Sequence, residues 1–207
     1  MLERKIHVAI NLQKGQKVNL TKSDGRKLTK IMVGLGWDAV EQEGGFFKKL
    51  FSGKKNFDCD ASVFICRNGR ITSVDDIVYF GNLEHKSGAV KHMGDNLTGE
   101  GEGDDEEIYV NLNELPADYD KLVFVVNIYK AVDRKQSFGI IKNAYIRIVD
   151  DENGEELCRY NLSGGDYDGM LAMVVGEVYR RGNDWKFNAI GNGTKDPGLQ
   201  ELSRRFS

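Results

Sequence analysis

The sequence predicts an all-β fold, a β-sandwich of two antiparallel sheets with minor helices. Three observations carry that expectation. Short stretches rich in β-branched and aromatic residues recur along the chain. Turn signals such as Asn68-Gly69, Glu152-Asn153-Gly154 and Arg181-Gly182-Asn183-Asp184 separate them. Windows with a helical period are few. In chain order, strands are expected at His7 to Leu12, Lys17 to Leu20, Lys30 to Gly36, Phe57 to Arg67, Ile77 to Phe80, Glu107 to Leu112, Lys121 to Tyr129, Asn143 to Asp150, Glu156 to Asn161, Met170 to Arg180 and Trp185 to Gly191. Helical structure is expected only as a turn over Ala131 to Phe138 and as a short C-terminal helix from Gly198 to Phe206, which follows Pro197. With 207 residues, 40% of them hydrophobic, and only two prolines, a single domain over 1–207 can bury a full core without a Pro-rich linker.

Charge and cysteine usage narrow the function classes. A formal net charge of −3 offers no polyelectrolyte footprint, so nucleic acid is not an expected partner. Cys59, Cys66 and Cys158 are odd in number and show no C-x-x-C spacing, which points to buried small hydrophobes rather than a disulfide or zinc framework. Three scattered thiols are also a weak basis for direct thiol chemistry. The start Met1-Leu-Glu-Arg-Lys lacks an apolar signal region, and no long apolar run follows, so a cytoplasmic location is expected.

The most informative segment is Gly94 to Glu107, which holds seven carboxylates, four glycines and no cation. Like charges packed this closely are relieved either by water and salt or by a bound cation. Gly99, Gly101 and Gly103 alternate with Glu100 and Glu102, freeing the backbone to turn carbonyl oxygens inward, and calcium takes a mixture of carboxylate and carbonyl oxygens. A second acidic element is Asn56 to Cys66. On a strand, Asp58, Asp60 and Ser62 share one face, with Cys59, Ala61 and Val63 on the other. Two aspartates held about 7 Å apart by the strand repeat suit an oxygen-rich ion site; the alternative is an exposed edge strand whose charges discourage aggregation. The loop is not an EF-hand, because Leu97 and Gly99 occupy the third and fifth places counted from Asp95. Its Gly-Glu alternation is similar to a β-roll repeat but occurs once.

Paired metals among carboxylates also build hydrolytic sites. Against that, His7, His85 and His92 are the only histidines, His92 has no evident orienting partner beside it, and no nucleophile elbow or phosphate-cradling loop occurs. A metal-dependent hydrolase is the less favoured reading, and no catalytic residue is assigned.

The block Gly94-Asp95-Asn96-x-Thr98-Gly99-x-Gly101-x-Gly103-Asp104-Asp105-Glu106, with Gly34-Leu35-Gly36-Trp37-Asp38 and Phe57-Asp58-x-Asp60-Ala61 before it, resembles the TerD family of bacterial tellurium-resistance and general stress proteins. The resemblance continues through Lys121 to Tyr129, Ala144-Tyr-Ile-Arg147, Arg159-Tyr160-Asn161-Leu162 and Gly176-Glu177-Val-Tyr179-Arg180 to Trp185-Lys186-Phe187, and so covers nearly the whole chain. It implies a calcium-binding β-sandwich without established enzymatic activity. Carried over, the metal site comprises Asp58, Asp60, Asp95, Asn96, Gly99, Gly101, Gly103, Asp104, Asp105 and Glu106, holding two calcium ions. Two such ions would move the net charge from −3 to about +1. The implied role is a cytosolic scaffold in resistance to tellurite and chemical damage; the alternative is a calcium-regulated peripheral membrane or protein-interaction module.

One stretch departs from shorter members of that family. Residues 46–55 carry four lysines and four large apolar residues, and resemble the longer hairpin of one subgroup. Phe46, Phe47, Lys48, Lys49, Leu50 and Phe51 give it an amphipathic character suited to the inner membrane or to other stress-operon proteins. The competing expectation is that the apolar residues cap the sandwich while the lysines are solvated.

Overall fold

The computed structural model describes residues 9–22, 24–39, 58–94, 103–162 and 167–207. Among them the first sheet has the order β1-β10-β9-β3-β7-β6, formed by β1 (Ile10–Leu12), β3 (Lys30–Ala39), β6 (Val90–His92), β7 (Glu106–Asn111), β9 (Ile141–Asp150) and β10 (Glu155–Asn161). The second has the order β2-β12-β11-β8-β4-β5, formed by β2 (Lys17–Asn19), β4 (Cys59–Cys66), β5 (Ile77–Val78), β8 (Lys121–Ile128), β11 (Ala172–Arg181) and β12 (Asp184–Thr194). Pairing is antiparallel except where β1 runs parallel to β10. Helix is confined to α1 (Ala131–Arg134), α2 (Leu199–Ser203) and three-residue 3₁₀ turns. This is the expected two-sheet sandwich with a short C-terminal helix.

The departures from expectation lie at element ends and in the shortest pieces. β3 runs on to Ala39 because a bulge between Gly36 and Asp38 restores its pairing with β9. β5 stops at Val78, where the chain turns back through the Tyr79–Asn82 bridge. β6 has only three residues, too few for a period-two pattern to show, and exists because β7 offers it an edge. The Asn68-Gly69 hairpin signal is confirmed by φ values of 51° and 73°, the paired left-handed turn that Asn-Gly favours.

The core lies between the sheets. Alternate residues of each strand face it, among them Val33, Leu35, Val63, Ile65, Ile108, Phe124, Ile146 and Phe187. A second apolar layer covers the outer face of the second sheet. There Phe64, Cys66, Val123, Val125 and Val174 are roofed by Leu202 of α2, and Phe206 lays its ring 5.4 Å from that of Phe64. With both faces covered, every residue of β4 is buried. The three cysteines are free and buried, Cys59 and Cys158 in the inter-sheet core and Cys66 in the outer layer, as their sequence setting suggested.

Candidate metal centre

β4 enters the sandwich at the end where β3 finishes and β7 begins. Its alternation holds: Cys59, Ala61 and Val63 point into the core, while Asp60 and Ser62 share the outer face. It is not an exposed edge strand, since Asp60 is only 5% exposed and β8 pairs along its whole length. The alternative of an exposed, charged edge strand therefore does not hold. β5 pairs only with Val63 and Phe64, so among the described residues the N-terminal part of that edge has no strand partner. Glu106 fills the gap from the facing sheet: its Oε2 accepts the Ala61 N–H at 2.9 Å. A carboxylate that replaces a strand on a ladder edge satisfies a donor that would otherwise be buried without a partner.

His92 completes this bridge. Its Nδ1 accepts the Gly94 N–H at 3.0 Å, which places the ring proton on Nε2, 3.0 Å from Glu106 Oε2 and 3.2 Å from the Ala61 carbonyl. His92 thus has an orienting partner, contrary to the sequence expectation. The pairing joins neighbouring strands of the first sheet, β6 and β7, across fourteen residues of sequence, so no local motif could reveal it. His92 and Glu106 are both buried, and it is their shared contacts with Ala61 of β4 that fasten the two sheets together.

Asp58 and Asp105 complete the described part of the acidic end. Asp58 lies 3.4 Å from Arg134 of α1. Asp105 accepts the Trp37 N–H at 2.7 Å, yet burial, with Asp38 and Asp104 nearby, raises its carboxyl above the ordinary range. The convergence is reported by Cys59. Burial drives its thiol well above the usual value, and Asp60, Glu106, Asp58 and Asp105 all lie close enough to push it further. The convergence is one of charge rather than of a formed ligand cluster: among the described residues, no three acidic, histidine or cysteine side chains stand close enough together to hold a metal ion.

Asp104 turns the other way. On the outer face of the first sheet, Arg147 donates to both its oxygens from Nε at 2.8 and 2.9 Å and from Nη2 at 2.8 Å, and the Tyr145 hydroxyl donates at 2.9 Å. The Gly103 carbonyl accepts from the same hydroxyl at 2.8 Å. Burial together with Asp104 raises the Tyr145 phenol to about 12. Arg147 continues to Glu156 at 3.1 Å and Glu156 to Arg159 at 2.8 Å, forming a ladder of alternating charge. Asp95, Asn96, Gly99 and Gly101 lie outside the described residues, as does the segment carrying Phe46, Phe47, Lys48, Lys49, Leu50 and Phe51.

Comparison with known proteins decides the family, since the TerD domain family model matches residues 8–206. The chain belongs to the TerD family. It is 52% identical over 200 residues to the stress response protein SCP2 of Bacillus subtilis (strain 168), covering 96% of this chain and all of that one. It is 41% identical over 187 residues to the tellurium resistance protein TerD of Serratia marcescens, covering 90% of this chain and 91% of that one. A crystal structure of a homologue of the telluride resistance protein TerD from Streptomyces coelicolor A3(2) superimposes with a TM-score of 0.63 at 18% identity, covering 87% of this chain and 98% of that one, and shows the same fold.

The TerD-type block Gly34-Leu35-Gly36 now has a steric reason. A Cβ at Gly34 would overlap the Asp104 carboxylate, and one at Gly36 the Tyr145 ring, so both positions must stay bare for the charge ladder to lie flat on β3. Sequence reasoning quoted Tyr145 and Arg147 as family residues without giving them a task. The signal that could have found them is the pairing of Gly34 and Gly36 with a Tyr-x-Arg strand. Among the described residues, no helix is long and apolar enough to cross a membrane.

Proposed function

We propose that this TerD-family chain is a calcium-binding stress and resistance protein of the cytosol, acting by binding rather than by catalysis. The observation that carries this reading is the unrelieved negative charge at this end of the sandwich, where burial beside Asp38 and Asp104 holds Asp105 above the ordinary carboxylate range and Asp58, Asp60 and Glu106 add their charge nearby. A carboxylate in that state is stabilised by a cation. The available donors fit calcium: carboxylate oxygens from two sheets, the carbonyls of a glycine-rich segment and, among the described residues, no thiolate or imidazole free to favour zinc. His92 is committed to Glu106 and Gly94. The remaining ligands of a two-ion site come, on this reading, from Asp95, Asn96, Gly99, Gly101 and Gly103.

The stress and resistance role is supported by the names of the relatives, tellurium resistance protein TerD and stress response protein SCP2. Direct thiol chemistry is disfavoured. Burial raises Cys66 and Cys158 to about 12 and holds Cys59 well above the ordinary thiol value, so little thiolate exists at neutral pH. Isothermal titration of the chelator-treated protein with calcium tests the site: two ions per chain are expected, and no heat at millimolar calcium would overturn the proposal.

A further inference from the structure

The outer face of β4 carries a feature that calcium binding at the loop does not use. Beside Asp60 lies a cavity of about 210 Å³, floored by Asp60, Ser62 and Asn127 and walled by Tyr79, Phe80 and Tyr129, with Pro197 and Leu199 closing its far side. It is smaller than the roughly 300–1,000 Å³ of drug-sized pockets and much larger than the roughly 30 Å³ share of one water, so it suits a group of a few heavy atoms.

The floor is short of donors. Ser62 is 0% exposed and Asn127 6%, and the Ser62 Oγ and Asn127 Oδ1 are both buried without a hydrogen-bond partner. Asn127 cannot cure this by flipping its amide. Its Nδ2 donates to Asp60 Oδ2 at 3.3 Å, and a flip would set two acceptor oxygens against each other. Buried polar atoms are ordinarily satisfied, so each orphan calls for an explanation. Here both belong to residues that line one cavity, next to a carboxylate.

The walls add a second preference. Phe80 is 47% exposed and Tyr129 37%, so their rings stand at the cavity mouth. Tyr129 already attracts cations, with Lys130 Nζ 5.2 Å and the Arg134 guanidinium carbon 5.1 Å from its ring centroid. An occupant matching all of this has several N–H donors, no acceptor, one positive charge and a short apolar stem. A primary ammonium has three donors and no acceptor.

We propose that this cavity is a binding site for a primary alkylammonium group, in which Ser62 Oγ, Asn127 Oδ1 and the Asp60 carboxylate accept its three N–H groups while Tyr79, Phe80 and Tyr129 enclose its stem. The site shares only Asp60 with the calcium reading and does not depend on it. Lys130, at the rim, is the rival within the chain. Its flexible stem can bring its own ammonium to the same acceptors, so Lys130→Gln raises the affinity for an added amine.

The test is a titration of the ¹⁵N-labelled full chain with n-butylammonium chloride in chelator, with 1-butanol as the neutral partner of the same shape and sodium chloride as the ionic-strength control. Saturable shifts confined to Ser62, Asn127, Tyr129 and their neighbours are expected for the ammonium and not for the alcohol. Ser62→Ala removes an acceptor that bonds nothing in the native fold, so folding is retained while amine affinity falls about tenfold, the loss of one hydrogen bond to a charged donor. Spermidine and Nα-acetyl-lysine methylamide then separate a free polyamine from a protein lysine by which binds more tightly. The proposal is overturned if n-butylammonium gives no saturable shift, if 1-butanol gives the same one, or if Ser62→Ala leaves the affinity unchanged. Because the titration is run without calcium, and Asp105→Asn is expected to leave amine affinity intact, failure here and failure of the calcium site are separate results.

Discussion

Asp76 and Asp105 are both aspartates withdrawn from solvent on the same sandwich, and they titrate in opposite directions. Asp76, in the 3₁₀ turn Val74–Asp76, is completely enclosed. Its oxygens accept from the Tyr119 hydroxyl at 2.7 Å and Thr72 at 2.9 Å, with Arg67 at 3.0 Å, Lys86 at 3.3 Å and His85 at 3.4 Å. Burial pushes its carboxyl up, but the bonds from Tyr119, Thr72, His85 and Lys86 outweigh it and hold the group well below the usual range. Asp105 has one backbone donor, Trp37, against burial and two neighbouring aspartates, and ends above it. The fold can therefore satisfy a buried carboxylate fully, and at one end it leaves one unsatisfied. An unmet charge beside a segment of seven carboxylates is where an external cation stabilises the protein most.

The compensated pole gives the largest expected effect. Asp76→Ala removes the common acceptor of Tyr119, Thr72, Arg67 and Lys86, and breaking a buried pair typically costs about 3–5 kcal/mol. Lys86 is half exposed and Arg67 a quarter, so water recovers part of the loss and the lower end, about 3 kcal/mol, is expected. Urea unfolding measures it; a change below about 1 kcal/mol would show the cluster to be incidental. The pH dependence has a definite sign. Asp76 has a depressed folded pKa, so its contribution is present above the unfolded value near 3.9 and is lost as pH falls towards the folded one. The variant is therefore expected to lose less stability than the wild type below about pH 4.

The two poles were not equally legible in the sequence. The acidic end announced itself through composition, because seven carboxylates in one segment and an Asp-x-Asp strand are local signals. The strand alternation that put Asp60 and Ser62 on one face was equally local. The Asp76 cluster was invisible, since Thr72, Arg67 and His85, though within nine residues of Asp76, lie in irregular turns with no periodic signal, and Tyr119 is 43 residues away and meets them only through the fold. The His92–Glu106 bridge was missed for the same reason. Strands with long apolar runs such as β8 were easy to place, whereas β6, three residues long, is created by its neighbour's edge rather than by its own pattern.

The uncompensated pole gives the next effect. A ligand that binds only the native state adds RT ln(1 + [L]/Kd), about 2.7 kcal/mol at a hundredfold excess over Kd. For a domain of this size that raises Tm by roughly 5–10 °C. Calcium should do this after chelator treatment, and magnesium should need about tenfold higher concentration, because it demands a tight octahedron and gives up its waters reluctantly. Equal shifts from the two ions in differential scanning calorimetry would remove the flexible oxygen site from consideration.

Gly34→Ala probes the boundary between the poles at smaller scale. The new methyl group displaces Asp104, so Arg147 loses its bidentate partner on the outer face of the first sheet. Hydrogen bonds to charged groups are worth about 1.5–3 kcal/mol, and with Arg147 a quarter exposed roughly 1.5 kcal/mol is expected in urea unfolding. Arg147→Ala should produce a similar loss, and the double variant should lose little more than either alone. Additive losses would mean that the glycine is required for some other reason.

The smallest effect is the most diagnostic, because its sign reverses with calcium. Asp105→Asn keeps the side-chain volume and an oxygen for the Trp37 N–H while removing the charge that burial, Asp38 and Asp104 oppose. With its folded pKa raised, native Asp105 binds its proton more tightly than the unfolded chain does, so ionising it at neutral pH costs stability. Without calcium the variant should therefore be more stable than the wild type at pH 7, by about 0.5 kcal/mol once partial exposure is allowed for. The gain should vanish when the pH is lowered until Asp105 is protonated in both states. With calcium the order should invert, since the wild type keeps a ligand that the variant has lost. Thermal melts of both proteins at pH 7, with chelator and with calcium, read the two signs directly. A variant less stable than the wild type in chelator would mean that Asp105 is already compensated, as Asp76 is, and the contrast between the two aspartates would no longer point to a cation.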